Sequence, residues 1–105
     1  MEPIGYTLLV VEVRKTHTFA KWLDGLRDVR AKARILVRLR RLSLGNFGDW
    51  KSVGEGVSEL RIDYGPGYRV YLTRQGGSIV ILLAGGTKKS QSRDIKRAIS
   101  LAQEL

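Results

Sequence analysis

Three short apolar runs separated by glycine turns constrain this chain most. Val57 to Tyr64 alternates, with Leu60 and Ile62 on one face and Glu59, Arg61 and Asp63 on the other. Gly65-Pro66-Gly67 then turns the chain into a strand from Tyr68 to Arg74. Gln75-Gly76-Gly77-Ser78 turns it again into Ile79 to Ala84, which is apolar on both faces as a central strand should be. Runs this short and turns this tight predict antiparallel pairing, because a parallel crossover needs a dozen or more residues.

The preceding half alternates differently. Thr7 to Arg14 (TLLVVEVR) reads as a strand. Thr16 or Thr18 caps a helix whose Phe19, Trp22, Leu23 and Leu26 follow helical spacing. A second helix is predicted from about Asp28 to Leu44, with Val29, Ala33, Leu36, Leu39 and Leu42 facing inward and Gly45 placed to stop it. Gly45 to Gly56 is rich in turn formers and reads as a loop. After Gly85-Gly86, Ser90 or Ser92 caps a last helix carrying Ile95, Ile99, Leu101 and Ala102. The order β-α-α-β-β-β-α predicts an α+β fold in one domain, residues 1–105. Its sheet is mainly antiparallel, with an N-terminal helical hairpin and a C-terminal helix.

Charge narrows the partners. Nineteen Lys and Arg against ten Asp and Glu give a net charge of +9, which favours a polyanion, since each neutralised phosphate releases counterions. The alternative is a basic protein that is merely soluble. The apolar runs are strand-length and Met1-Glu2-Pro3-Ile4-Gly5 lacks a signal-peptide pattern, so a cytoplasmic protein without membrane association is the expectation. With no cysteine, a single histidine (His17) and scattered acids, neither thiolate nor two-metal chemistry is expected. No cofactor and no metal are anticipated. Any catalysis falls to Arg, Lys and Tyr.

Alternation puts Arg61, Arg69 and Tyr71 on one sheet face if their strands pair across Gly65-Pro66-Gly67, with Lys88 and Lys89 bordering it. Such cations can bind a phosphate and stabilise charge developing in a transition state. Equally, Arg61 and Arg69 can pair with Glu59 and Asp63 on a solvated face. Arg27, Arg30, Arg34, Arg38 and Arg41 form a second, helical stripe suited to RNA phosphates, an acidic protein surface, or simply water. Lys89, Arg74, Lys51, Arg34, Arg38 and Arg41 are the candidate RNA-binding residues. Trp50 is either a stacking platform or a core-edge residue.

Several segments together resemble a known family. They are Phe19 to Arg27 (FAKWLDGLR), Leu44 to Asp49 (LGNFGD) and Gly54 to Ile62 (GEGVSELRI). Tyr64 to Tyr71 (YGPGYRVY) and Gly85 to Gln91 (GGTKKSQ), followed by Asp94-Ile95, continue the match over nearly the whole chain from Tyr6. The pattern resembles the addiction-module killer, phage Gp49-related branch of the RelE/ParE/HigB toxins. That resemblance implies a RelE-like fold and a type II toxin restrained by a cognate antitoxin, a small helix-turn-helix DNA-binding protein. It also implies ribosome-dependent, metal-independent cleavage of mRNA by ribose 2′-OH attack, with ribosome and mRNA as partners. Arg69 would then stabilise the phosphorane, Arg61 would hold the scissile phosphate, Lys88 would serve as phosphate ligand or general acid, and Tyr71 would assist.

The chain departs from its relatives in places. Thr87 stands where Asp is frequent and Lys89 where Ser is usual; the last helix has no tyrosine, and HigB-type histidines are missing. The general base is therefore unassigned. The competing reading is a ParE-like, non-enzymatic inhibitor of DNA gyrase.

Overall fold

The computed structural model describes residues 11–105. The part of the anticipated first strand at residues 7–10 lies outside them. The elements run β1 (Glu12–Lys15), α1 (His17–Asp24), α2 (Val29–Ser43), β2 (Trp50–Gly54), β3 (Val57–Ile62), β4 (Tyr68–Gln75), β5 (Ile79–Thr87), a 3₁₀ turn (Lys88–Ser90) and α3 (Gln91–Gln103). The fold is α+β, with a five-stranded sheet in the order β1-β5-β4-β3-β2. β1 runs parallel to β5 and every other pairing is antiparallel.

Local chemistry explains the boundaries. Thr16 caps α1 by accepting the Phe19 N–H, and Gly25 closes it. Asp28 caps α2 by accepting from Arg30 and Ala31. β2 is an addition to the expected order, lying inside the segment read as a loop. It escapes detection because it is an edge strand with little buried on either face, so it carries no apolar alternation. A two-residue turn at Glu55-Gly56 joins it to β3, both residues having positive φ (52° and 76°), and only glycine takes that conformation freely.

Two apolar layers flank the sheet. On one side Phe19, Leu23, Ala31, Ile35 and Leu42 of the helices pack over Leu60, Ile62, Val70 and Leu72. On the other, α3 lays Ala98, with Ile95, Ile99, Leu101 and Ala102, over Val57, Tyr71, Ile81 and Leu83. α2 is rotated from the expected setting. Ala31, Ile35 and Leu42 are buried, whereas Val29, Ala33 and Leu36 are exposed. The helix has two apolar stripes, and periodicity alone does not say which one meets the sheet.

β5 runs on through Gly85-Gly86 to Thr87, beyond its expected end at Ala84. A Cβ on Gly85 would overlap the Trp22 ring, and one on Gly86 would overlap the Asp94 carboxylate. The two glycines let α1 and α3 approach the strand from opposite faces.

Candidate active site and basic surfaces

The β3–β4 register sets Glu59 opposite Tyr71 and Arg61 opposite Arg69, all on the α3 face, and β2 adds Lys51 opposite Glu59. Of the two readings left open for this face, the pairing of Arg61 and Arg69 with Glu59 is present, but the cluster is largely buried and not solvated. Glu59 and Tyr71 are fully buried, and Arg69 is 9% exposed. The reason is α3, which covers them.

Glu59 organises the cluster. Arg61 Nε donates to its Oε1 at 3.1 Å and Gln91 Nε2 donates to its Oε2 at 2.8 Å. Arg69 Nε lies 4.0 Å from Oε1, within electrostatic reach but without a hydrogen bond. Burial pushes the Glu59 carboxyl up. Gln91, Arg61 and Tyr71, with the charge of Arg69, outweigh burial and hold it below the usual carboxylate range. A carboxylate so enclosed is a positioning group and a poor proton acceptor.

Tyr71 is pushed far up, by burial first and then by Glu59 and Asp94. Its hydroxyl has no well-formed hydrogen bond, although Glu59 is near enough to raise it. A fully buried phenol held in its neutral form is out of reach of a substrate phosphate, which changes the expected assisting role of Tyr71.

The Arg69 guanidinium and the backbone of Lys88 meet at the Gly65-Pro66-Gly67 turn. Arg69 Nη1 donates to the Gly67 carbonyl at 2.6 Å, and the Lys88 N–H donates to the same carbonyl at 2.9 Å. A Cβ on Gly67 would stand 2.7 Å from Arg69 Nη1 and 3.3 Å from Lys88 Cβ, so a side chain here would crowd the Arg69 guanidinium against the turn. Lys88 is exposed, and the Arg61 side chain is 38% exposed. Lys89 borders a neighbouring groove of about 520 Å³ with Thr87, Ser90, Ser92 and Arg93. There Ser90 Oγ donates to Asp94, fixing the start of α3.

The remaining candidates lie on the opposite face. Arg74 stacks over Phe47, 4.1 Å from the ring centre, and Phe47 meets the half-exposed Trp50 edge-on. Arg34 stacks over Tyr64 at 4.7 Å. Arg38 turns inward and donates to the carbonyls of Arg61, Phe47 (3.0 Å) and Asp49 (3.2 Å). Burial, opposed by Asp49, pulls the Arg38 guanidinium below its usual value. Its donors are committed to tying α2 to the loop and β3, which leaves few for RNA. Arg41 lines an outer groove with Arg30 and Arg34.

Sequence reasoning offered Glu59, with Asp63, only as a surface partner of Arg61 and Arg69, and missed its burial and Gln91 as its clamp. The signal for Gln91 was its place in the Gly-Gly-x-Lys-x-x-Gln string. His17 starts α1 and borders a groove with Lys21, Trp22, Asp94 and Arg97. Among the described residues no three His, Cys, Asp or Glu side chains converge as metal ligands would. Among the same residues no helix is long and apolar enough to cross a membrane.

Comparison with known proteins follows the same segments. The family described as "Phage derived protein Gp49-like (DUF891)" matches residues 21–105. The chain is also 56% identical over 97 residues to an uncharacterized protein of Haemophilus influenzae (strain Rd), spanning 92% of this chain and 98% of that one. The protein belongs to the phage-derived Gp49-like family, a family of toxin-type addiction-module proteins.

Proposed function

We propose that this protein is the toxin of a type II toxin–antitoxin module and a metal-independent endoribonuclease of RelE/HigB type that cuts mRNA on the ribosome. The observation that carries the reading is the convergence of Arg61, Arg69 and Lys88 at one end of the sheet, two of them set by Glu59 and Gly67. In the proposed reaction the ribose 2′-oxygen attacks phosphorus and its proton passes to water. The P–O5′ bond breaks, leaving a 2′,3′-cyclic phosphate, and the 5′-oxygen takes a proton from the Lys88 ammonium. Arg61 holds the phosphate and Arg69 stabilises the phosphorane, each aimed at charge that grows in the transition state. Tyr71 acts only by packing beside Glu59. The antitoxin is proposed to be a small DNA-binding protein encoded with the toxin, and cytoplasm is the proposed compartment.

One observation favours the gyrase reading: Arg61 and Arg69 already have a buried carboxylate beside them. Induction in growing cells separates the two. The ribonuclease reading expects amino-acid incorporation to stop while plasmid supercoiling is preserved. Relaxed plasmid and a DNA-damage response with translation continuing would favour gyrase.

A further inference from the structure

We propose that the groove between α1 and α3, beside the last residues of β5, is a nucleotide-binding site. β1 ends at Lys15, opposite Leu82, while β5 runs on to Thr87. Where β1 stops, Thr16 turns the chain into α1. Its N–H donates to the Leu82 carbonyl at 3.0 Å and its hydroxyl to the Leu83 carbonyl at 2.8 Å. Beyond that point β5 pairs with β4 on one side and, among the described residues, with no strand on the other. Ala84 and Gly85 there floor a groove of about 440 Å³, with α1 as one wall and α3 as the other. That volume suits a small organic ligand.

The lining selects the occupant. Lys21 and Arg97 stand exposed at the rim, and among the described residues neither forms an ion pair with a carboxylate. His17, one helical turn before Lys21, and the Thr18 hydroxyl add donors, so the rim fits a phosphoryl group. Two further features do not belong to a plain anion site. Trp22 is half-buried, its ring held by Phe19, Tyr68 and Gly85, and it gives the groove an aromatic wall. Asp94, one turn before Arg97, sets a carboxylate beside the cations. Ser90 Oγ donates to its Oδ2, and among the described residues no donor meets its Oδ1. An inorganic anion or an acidic peptide would meet Asp94 as a like charge and leave Trp22 unused. A nucleotide is anionic at one end and carries at the other a flat base whose amino group donates. It satisfies the cations, the aromatic wall and Asp94 together. β4 separates β5 from β3, which carries Arg61, so the inference stands apart from the RNA-cleavage reading.

The test follows the Trp22 indole N–H signal by NMR in the isotope-labelled full chain. The chain has two tryptophans, and Trp50→Phe assigns the signal. AMP is expected to shift it with a Kd of about 1 mM or tighter, at least about tenfold tighter than inorganic phosphate. IMP, which has a carbonyl in place of the amino group, should bind about fivefold more weakly than AMP, and Asp94→Asn should remove that difference. Lys21→Gln with Arg97→Gln should weaken AMP at least about tenfold and still melt like the wild type, since both side chains are exposed. A 5′-phosphorylated oligodeoxyadenylate, which has no 2′-OH to attack, identifies the source of the nucleotide. Binding tighter than AMP, and lost in the same double variant, assigns the groove to a nucleotide within a nucleic acid; weaker binding assigns it to a free nucleotide. No shift at about 10 mM AMP, or phosphate binding as tightly as AMP, overturns the proposal. So does undiminished AMP binding by the double variant, or equal binding of AMP and IMP by the wild type.

Discussion

Gln91, the first residue of α3, donates its side-chain amide to Glu59 Oε2 at 2.8 Å, joining positions 32 residues apart. Glu59 accepts Arg61 on its other oxygen. The last helix therefore sets the orientation of a carboxylate, and that carboxylate orients the cations proposed to meet the phosphate.

The ion pair makes stability depend on pH and on charge at position 59. Glu59 is held below its ordinary value of 4.5, so its contribution is complete above that value and is lost as pH falls through the lower, folded value. Melting temperature should be level near neutrality and drop below about pH 4.5. Glu59→Gln should lose that component of the drop and destabilise by about 3 kcal/mol at pH 7, since it leaves Arg69 buried beside a neutral amide. Thermal melts from pH 3 to 7 check both. An unchanged pH profile in Glu59→Gln would contradict the assignment.

Tyr71→Phe separates packing from chemistry. Removing a buried hydroxyl that lacks a partner should change stability by less than about 1 kcal/mol. RNA cleavage should stay at the wild-type rate, and a loss of about a hundredfold would restore Tyr71 as a catalytic residue.

Arg38 belongs to the scaffold. Arg38→Lys keeps the charge but loses the fork that spans the carbonyls of Arg61, Phe47 and Asp49, and should cost about 2 kcal/mol in a denaturant melt. Arg41→Lys, on the exposed side, should cost less than about 0.5 kcal/mol. Equal effects would remove the distinction.

Gly85→Ala tests the close approach of α1. The added methyl meets a Trp22 ring already held against Phe19 and Tyr68, so overpacking should destabilise by about 1 to 3 kcal/mol. Gly77→Ala, where a Cβ meets nothing within 4 Å, is the control and should melt like wild type.

These contrasts explain what the sequence could reveal. The start of α1 at Thr16 or Thr18, the start of α2 near Asp28 and the strands from Val57 to Ala84 are local features, and each was legible. β2 was not, because an exposed edge strand has no apolar rhythm. Nor was the setting of α2, whose two stripes both obey helical spacing. In the site, alternation grouped Arg61, Arg69 and Tyr71 on one face but left open whether that face binds phosphate or pairs with Glu59 in solvent, and it gave no sign that the face is buried. Only the docking of α3, a long-range event, buries it and turns Glu59 from a surface acid into the hub.

The most direct test of the central claim maps the ends of a defined mRNA by primer extension in a cell-free translation reaction. The account predicts cuts within the coding region that require ribosomes and leave 5′-hydroxyl ends. It predicts a loss of about a hundredfold in Lys88→Ala with wild-type melting, and a similar loss in Arg61→Ala assayed well below its lowered melting temperature, since that change leaves the buried Glu59 without its partner. Intact mRNA with the wild-type protein, or full cutting by both variants, would contradict it.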